Sequence, residues 1–430
     1  MPLVPGQSVR CGLALLCAGL AMTPARRAIS APPPETRELV LEERVLLRRG
    51  ALTVWAGGFG SAMAAHPHRP DHFYFLSDRG PNAGTGREDE KVFLHPTYAP
   101  RIGLFRLEGA RLRRVREIPL RDAAGQPLTG LPNPPGAGGT GERALDPRGR
   151  ELPPDPRGVD PEGLVALPDG TFWVAEEYGP SLLHLDAEGR TLERIDPYTA
   201  STRGRRLPRV LAARRPNYGF EGLTASPDGK ALIAVMQAPL DNPSREVRGS
   251  ARLTRLVWMD LGTGLTRQFA YVHDAPGLSN TEVLALSDHE LLVLERDALF
   301  AGDPKKPARH KRIYRAGLDG ATDLSDPEDG PRGRLFGGRT PEELADADLA
   351  AAGLRPATRT LAVDLLALPG GYPHDKPEGM ALLSPDRVAV CNDDDFGITD
   401  EDGALVAKRL PGRGGARDRN RVRLVPLPPR

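Results

Sequence analysis

This 430-residue sequence has few cysteines, few aromatic residues and almost no net charge. Beyond the first 30 residues Cys391 is the only cysteine, so no intrachain disulfide can form in that part of the chain. Its stability must therefore come from packing rather than from cross-links. The 58 Lys and Arg balance 57 Asp and Glu, and no basic stripe alternates with aromatic residues, so the sequence predicts no nucleic-acid partner.

The N-terminus has the pattern of a secretory signal. A basic start that ends at Arg10 precedes an apolar run over 11–22 and small residues before Ala31. The run is too short for a comfortable membrane span. Cys17 follows Leu16 where a lipoprotein needs a small residue, which disfavours lipidation. We therefore predict a signal peptide over 1–30, no membrane span, and a bacterial protein exported to the periplasm or the extracellular space.

Glycine and proline are abundant, with 48 and 44 residues, and many of them lie in turns between short apolar runs. These runs form a repeat. Each copy begins with a turn that carries a carboxylate, passes through an apolar strand and a Pro-Asp-Gly or equivalent turn, and ends its second strand in a polar cluster. Copies lie at 160–179, 217–237, 280–297 and 376–395. A further copy at 59–80 has Ser61 where the others have a glutamate.

A second hairpin follows several copies, at 101–120, 181–195 and 255–272, which makes each repeat a four-stranded unit. Such units predict an all-β fold, a β-propeller of five or six four-stranded blades over 38–430. The number stays open because a sixth blade could lie in the less regular stretch before Leu361. The segments 38–47 and 420–429 could pair to close the ring.

Two insertions interrupt the repeat, and neither is predicted to be a separate domain. Residues 123–158 are rich in Pro, Gly and Arg and predict a long surface loop. Residues 321–358 contain "TPEELADADLAAAG" (340–353), which predicts a short helix with Thr340 as its cap and Glu343 completing a capping box.

The glutamates at the start of the repeat are the first candidate site residues. A charge beside a core strand is costly unless it is paired or holds a cation. If the repeats are in register, these carboxylates reach one height of a central channel, where an all-oxygen ligand set suits Ca²⁺ or Mg²⁺. The predicted metal ligands are Glu162, Glu221, Glu282, Glu378 and Asp393, with Ca²⁺ as the candidate cofactor. The alternative is that each glutamate accepts backbone N–H bonds and fixes the turn of its own blade.

The polar cluster after the second strand supplies the other candidates. Asp78 precedes Arg79 and Glu295 precedes Arg296, which suits a site where a cation and an oxyanion meet. The predicted catalytic residues are Asp78, Glu176 and Glu295, and the predicted substrate-binding residues are Arg79, Arg296 and Lys376. We expect the acidic members near the opposite end of the strand pair or on the neighbouring loop. The alternative is a set of Arg–carboxylate pairs that join the blades.

Several of these motifs, in this order, resemble the phytase-like family of exported proteins, which carry an "esterase-like activity of phytase" domain. They include "SDRGPN" (77–82), "DPEGL" (160–164), "FEGLTASPDGKAL" (220–232), "SNTEVLAL" (279–286), "KPEGMALL" (376–383) and "NDDDFG" (392–397). The resemblance covers about 38–430 without the insertions. It implies a propeller fold and phosphoesterase activity by acidic residues. The third copy departs locally, because Met236 and Gln237 stand where other copies have an acid.

The sequence therefore predicts an exported phytase-like protein with a Ca²⁺-dependent phosphoesterase site, acting on a small anionic phosphate ester in a carboxylate-lined channel. Two alternatives remain open at this point. One is a binding or scaffold propeller with structural Ca²⁺ and no turnover, and the other is a metal-dependent lactonase or other ester hydrolase. A channel filled by apolar side chains would favour the binding propeller. The sequence indicates neither the substrate nor the oligomeric state.

Overall fold

Five four-stranded antiparallel blades form a ring in the computed structural model, which describes residues 38–87 and 89–429. The predicted signal peptide over 1–30 lies outside these residues. The outer strands of the first and last blades also pair in parallel, which joins these two blades into one eight-stranded sheet. Within each blade, consecutive strands pair as antiparallel hairpins from the inner strand to the outer one. The all-β propeller predicted from the repeat is therefore confirmed.

The four strands of each blade follow one another from the inner edge of the ring to its outer edge. Blade 1 comprises Ala62–Ala65, His72–Leu76, Arg101–Glu108 and Arg111–Pro119. Blade 2 comprises Pro161–Ala166, Phe172–Glu176, Ser181–Leu185 and Thr191–Ile195. Blade 3 comprises Phe220–Ala225, Ala231–Met236, Leu253–Asp260 and Thr266–Val272. Blade 4 comprises Ser279–Ala285, Glu290–Arg296, Lys311–Gly317 and Thr358–Asp364. Blade 5 comprises Pro377–Ser384, Arg387–Asn392, Arg421–Pro426 and Glu38–Leu41.

The ring closes between the two ends of the chain. Inner strands of successive blades contact one another, and that of blade 5 contacts that of blade 1. Glu38–Leu41 pairs antiparallel with Arg421–Pro426, with Leu39 opposite Val422, and so becomes the outer strand of blade 5. The stretch before Leu361 supplies the outer strand of blade 4 rather than a further blade. The described residues thus form five blades.

Apolar clusters fill all five clefts between neighbouring blades. Successive residues of a strand point to opposite faces, and both faces of a blade pack against another blade. The sequences of the strands are therefore continuous runs of apolar residues. Between blades 2 and 3, for example, Trp173 packs with Phe220 and Met236, and all three are buried. These contacts hold the inner strands together without disulfides.

The glutamate at the start of an inner strand is followed, in blades 2, 3 and 5, by a glycine at a close approach between blades. A Cβ on Gly222 would lie 2.6 Å from Cα of Glu282 in the next blade. The register of the inner strand shifts at this same point, as in a β-bulge. The repeated Glu-Gly pair therefore combines a bulge, which redirects the glutamate, with the tightest contact between inner strands.

Replacing Gly222 by alanine is expected to lower the free energy of unfolding by about 1–3 kcal/mol, because the added methyl group must push two inner strands apart. Gly249→Ala is the matched control, since nothing lies within 4 Å of its added Cβ. We expect the control to change stability by less than about 0.5 kcal/mol. Chemical denaturation measures both, and equal losses would contradict this account of the Glu-Gly pair.

The insertion 321–358 lacks the continuous helix predicted over 340–353. It contains a 3₁₀ turn, Pro341–Glu343, and a one-turn α-helix, Asp346–Leu349, separated by extended backbone. The capping box does form, since the backbone N–H of Thr340 donates to the Glu343 carboxylate at 2.7 Å. The chain bends between the two turns because Leu344 and Leu349 both turn into one apolar cluster against blade 3.

Short elements complete the described chain. The insertion 123–158 contributes Arg143–Leu145, which joins Glu90–Phe93 and Asn82–Gly84 in a three-stranded sheet. Two hairpins are formed by Val45–Arg49 with Leu52–Trp55 and by Ile398–Glu401 with Ala404–Ala407. The remaining 3₁₀ turns are Arg209–Ala213, Arg245–Gly249, Leu365–Ala367 and Asp395–Gly397. None of the described helices has the length and apolar character needed to cross a bilayer.

Candidate functional site

A cavity of about 400 Å³ lies at the end of the ring where the inner strands begin. Three of the predicted metal ligands, Glu162, Glu221 and Glu378, line it. Glu282 does not, because its buried carboxylate accepts the backbone N–H of Val283 at 3.0 Å and that of the preceding blade's inner strand at 3.1 Å. Glu282 thus has the backbone-bonding arrangement that the structural alternative describes.

The polar clusters after the second strands lie at this same end of the ring. In an antiparallel hairpin the start of the first strand is opposite the end of the second, and Pro161 is accordingly paired with Glu176. These clusters are therefore not at the opposite end of the strand pair, whereas Asp78 and Asp393 do lie on the loop that follows the second strand, the other position expected. The cavity receives residues from both strands of the hairpin in blades 2, 3 and 4. The second strands contribute Asp78, Glu177, Gln237 and Arg296 to the cavity wall.

Glu176 and Glu295, two of the predicted catalytic residues, do not line the cavity. Successive residues of a strand face opposite sides, so the residue one position later faces the cavity in each case. Glu176 is fully buried within blade 2, where it accepts hydrogen bonds from Ser181 Oγ at 3.0 Å and Arg194 Nη2 at 2.8 Å.

Glu295 is equally buried, between blades 3 and 4. It accepts a hydrogen bond from the Tyr271 hydroxyl at 2.6 Å and lies 3.0 Å from a guanidinium nitrogen of Arg359. His310 Nε2 is 3.1 Å from its other oxygen. These partners give Glu295 the role of a link between blades, which removes it from the cavity's chemistry.

Two acidic triads lie at the cavity, each with carboxylate oxygens that are within 4.8 Å of one another. All of their members line the cavity wall except Asp393, which is buried behind it. The first triad comprises Asp160, Glu162 and Glu177. Arg79 contacts only Asp160 in it, with Nε 3.4 Å from Oδ2. Within the described chain, no Lys, Arg or His lies at ion-pair distance from Glu162 or Glu177. The first triad therefore gathers more negative charge than its neighbours neutralise.

The second triad comprises Asp78, Asp393 and Asp395. Lys376 lies between two of its members, with Nζ 2.7 Å from Asp395 Oδ1 and 3.3 Å from Asp393 Oδ2. Lys408 Nζ is 2.6 Å from the other oxygen of Asp395. Asp78 accepts the backbone N–H of Gly80 at 2.8 Å. Unlike the first triad, the second is supplied with cations by the chain itself.

The predicted substrate-binding residues Arg79, Arg296 and Lys376 all line the cavity, and all three are paired with carboxylates. Arg79 Nη1 lies 2.7 Å from Glu142, which comes from the 123–158 insertion, and also donates to the Tyr178 hydroxyl at 3.2 Å. Arg296 Nη2 donates to Glu378 at 2.6 Å. An incoming anion would have to share or replace these partners.

Burial and mutual repulsion shift the pKa values of the acids in the cavity. Burial, then the charge of Asp160, raises the pKa of Glu162 well above its usual range. Burial and the charge of Glu378 raise the pKa of Glu221 to about 8, and Glu221 Oε2 has no hydrogen-bond partner among the described residues. Burial also acts to raise the pKa of Asp395, but the charges of Lys376 and Lys408 outweigh it and hold that pKa well below its usual range. Burial also raises the pKa values of Asp78 and Asp393 well above their usual range. Among these acids Asp395 has two lysine partners, whereas Glu162 has none within the described chain.

Sequence reasoning missed Asp160, Glu177, Glu142 and Asp395 as site residues. Asp160 and Glu177 were within reach, since "DPEG" places an acid two residues before Glu162 and "AEEYG" places one directly after Glu176. Glu142 lies in an irregular insertion, where no periodicity predicts which side chain turns inward. Its contact with Arg79 could be found only in the folded chain.

Comparison with known proteins identifies a family whose model matches most of this chain. The family model described as "Phytase-like: Esterase-like activity of phytase" matches residues 54–396, which include both triads. An uncharacterized secreted protein of Arthroderma benhamiae is 30% identical over 250 residues, covering 46% of this chain and 48% of the relative. The chain thus spans about half the length of that curated relative.

Solved structures with a similar chain path have low sequence identity. The PQQ-bound aldose sugar dehydrogenase of Streptomyces coelicolor is 13% identical with a TM-score of 0.33, covering 92% of this chain and all of that chain. A streptogramin B lyase is 12% identical with a TM-score of 0.31, covering 90% of this chain and 97% of that one. Scores this low carry no information about chemistry. The family model covers most of the propeller, and the chain therefore belongs to the phytase-like family, whose model describes an esterase-like activity of phytase.

Proposed function

We propose that the protein is an exported, calcium-dependent phosphoesterase whose site is the carboxylate-lined cavity. The observation that carries the proposal is the first triad, three buried acids whose one ion-pair contact among the described residues is that of Arg79 with Asp160. Such a group is stable as a set of anions only if a cation lies among them. Membership of the phytase-like family supports a phosphate ester as the substrate.

The residues fit a calcium ion. Calcium takes six to eight oxygen ligands at about 2.3–2.6 Å, so any two ligand oxygens lie at most about 5 Å apart. The oxygens of Asp160, Glu162 and Glu177 meet this condition, since they lie within 4.8 Å of one another. Glu221 lines the same cavity and has an unpartnered buried oxygen. Asp160, Glu162 and Glu177 would hold the ion, with Glu221 completing the acidic wall.

The chain's other cavity residues have separate tasks in this proposal. A bound calcium ion supplies charge neutralisation for a phosphate ester and lowers the pKa of a water molecule. Lys376 and Arg296 would hold the phosphate oxygens by charge-assisted hydrogen bonds. Asp78 is the member of the second triad that neither Lys376 nor Lys408 contacts within ion-pair distance, and it would accept the proton of the attacking water.

A specific observation supports a second candidate function, a binding or scaffold propeller without turnover. All three predicted substrate-binding cations already have carboxylate partners, and the Arg79 guanidinium is surrounded by Glu142, Tyr178 and Asn217. Such neutralised groups are also what a purely structural network would show. The cavity wall is largely polar rather than apolar, however, which favours the phosphoesterase.

Export is proposed on two grounds: the signal pattern over 1–30 and the secreted relative. Mass spectrometry of the protein from its producing cell would test it. A mature N-terminus near residue 31 supports export, and an intact N-terminus in the cytoplasm contradicts it.

A substrate panel separates the candidate functions. Calcium-loaded protein is tested against p-nitrophenyl phosphate, bis(p-nitrophenyl) phosphate and an aliphatic lactone. We expect turnover of at least one phosphate ester and none of the lactone. Turnover of the lactone alone would contradict the phosphoesterase proposal and support the ester hydrolase alternative. No turnover, together with a calcium-dependent rise in melting temperature, would leave a binding propeller.

A further inference from the structure

The Lys408 ammonium occupies a site built from oxygen atoms. The side chain is 2% exposed, and its Nζ has four oxygen neighbours. These are Asp395 Oδ2 at 2.6 Å, Asp375 Oδ1 at 2.9 Å, the main-chain oxygen of Asp393 at 3.4 Å and Asp418 Oδ2 at 3.7 Å. Three carboxylates and a carbonyl are the donors that a hard cation such as calcium prefers. Here a cation of the chain itself fills their centre.

Asp395 connects this buried ammonium to the cavity. One of its oxygens contacts Lys408 and the other contacts Lys376 Nζ at 2.7 Å. Lys376 differs from Lys408 in exposure, since 30% of its side chain is accessible and it lines the cavity wall. The second triad thus has one interior cation, which fixes Asp395, and one cavity-facing cation that Asp395 orients.

The first triad has no such arrangement. No lysine of the described chain contacts it, and the one guanidinium that does, Arg79, is shared with Glu142. The two triads therefore look alike in the sequence but differ in what neutralises them. Each second-triad carboxylate has at least one donor, whereas Glu162 has no hydrogen-bond donor in the part of the chain that the structure describes.

We propose that the cavity takes a single divalent cation, at the first triad, and that Lys408 stands permanently in the place of a second ion. Lys408 is then a positioning residue. It holds Asp395 so that Lys376 presents its ammonium to the substrate's anionic group beside the one metal ion. This inference rests on the proposed function, and it assigns the number of metal ions and the group that faces the substrate.

Calcium titration calorimetry on the full-length protein and Lys408→Ala tests the proposal. We expect one calcium ion per chain in the wild type and two in the variant, because the truncated side chain leaves its oxygen cage open. The melting temperature of the variant should also rise with calcium by more than that of the wild type. Lys230→Ala, at an exposed lysine paired with Asp228, is the control and should keep one ion.

A folded Lys408→Ala protein that gains no ion, or a wild type that binds two, would overturn the proposal. If the variant fails to fold, Asp395→Asn decides, because it should leave wild-type calcium affinity within about threefold while Glu177→Gln lowers it. Loss of calcium binding in Asp395→Asn would place the ion at the second triad instead. A wild type that binds no calcium while Lys408→Ala binds one supports the lysine-filled cage but contradicts the proposed calcium-dependent function.

Discussion

Glu162→Gln is expected to lower both calcium affinity and phosphate-ester turnover by at least about 100-fold, since even partners one shell beyond a metal's ligands contribute 10–100-fold. The substitution removes one negative charge from the triad that has the fewest compensating cations, while keeping nearly the same volume. Calorimetry and steady-state kinetics on the same preparation measure the two effects. Calcium affinity and phosphate-ester turnover should fall together, because the same carboxylate is needed for both.

Glu188→Gln is the matched control for this variant. Glu188 lies in the same blade, but 73% of its side chain is exposed, and Arg116 is its one ion-pair partner in the described part of the chain. Surface pairs of this kind contribute little to stability. Since Glu162 is crowded by Asp160 and Glu221, calcium-free Glu162→Gln should also be more stable than the calcium-free wild type. Unchanged calcium affinity in Glu162→Gln would remove this residue from the site.

Calcium-free protein is expected to lose several kcal/mol of stability as the pH rises from about 5 to about 8, each unit of pKa shift being worth about 1.4 kcal/mol. The pKa of Glu221 is raised from 4.5 to about 8 in the folded state. Between these values the folded protein holds a proton that the unfolded chain has released. The stability that this proton provides is complete below pH 4.5 and is lost as the pH approaches 8.

Calcium weakens this dependence, because it binds the deprotonated carboxylates and replaces the protons. In thermal melts we expect the melting temperature of chelated protein to fall by at least about 5 °C over this range, and that of calcium-loaded protein to fall much less. Glu221→Gln should flatten the curve of the chelated protein, while buried Asp394, with a pKa of about 7, keeps part of the slope. A chelated protein that becomes more stable from pH 5 to pH 8 would contradict the cluster of raised pKa values.

The propeller could be predicted from the sequence because the repeated apolar strands follow directly from the way the blades pack. Apolar runs of strand length, separated by Pro-Asp-Gly turns, recur because each blade packs on both faces. The pairing of Glu38–Leu41 with Arg421–Pro426 follows from the need to close the ring. The continuous helix predicted over 340–353 does not form, because that prediction used a local signal and took no account of packing. Its local capping signal is present, but the burial of Leu344 and Leu349 bends the chain.

The lining of the cavity could be predicted from the sequence only in part. The repeat placed the inner-strand glutamates at one end of the ring but did not place the acids of the second strand beside them, where the hairpin pairing brings them. A strand also turns successive side chains to opposite faces, so an error of one residue exchanges Glu176 for Glu177. The inner-strand bulge adds a further residue that periodicity does not reveal. Contacts from insertions, such as that of Glu142, follow no repeat at all. The positions of Glu162, Glu221 and Glu378 at one cavity wall could therefore be predicted, and which acids of the second strands face that cavity could not.

The most direct test of the account is the rate of p-nitrophenyl phosphate hydrolysis by one preparation of the wild-type protein, first stripped by a chelator and then titrated with calcium. We expect no turnover in the stripped protein, and a rate that rises to saturation at one calcium ion per chain and disappears again on chelation. A rate that is the same with and without calcium, or no hydrolysis at any calcium concentration, would contradict a calcium-dependent phosphoesterase site in this cavity.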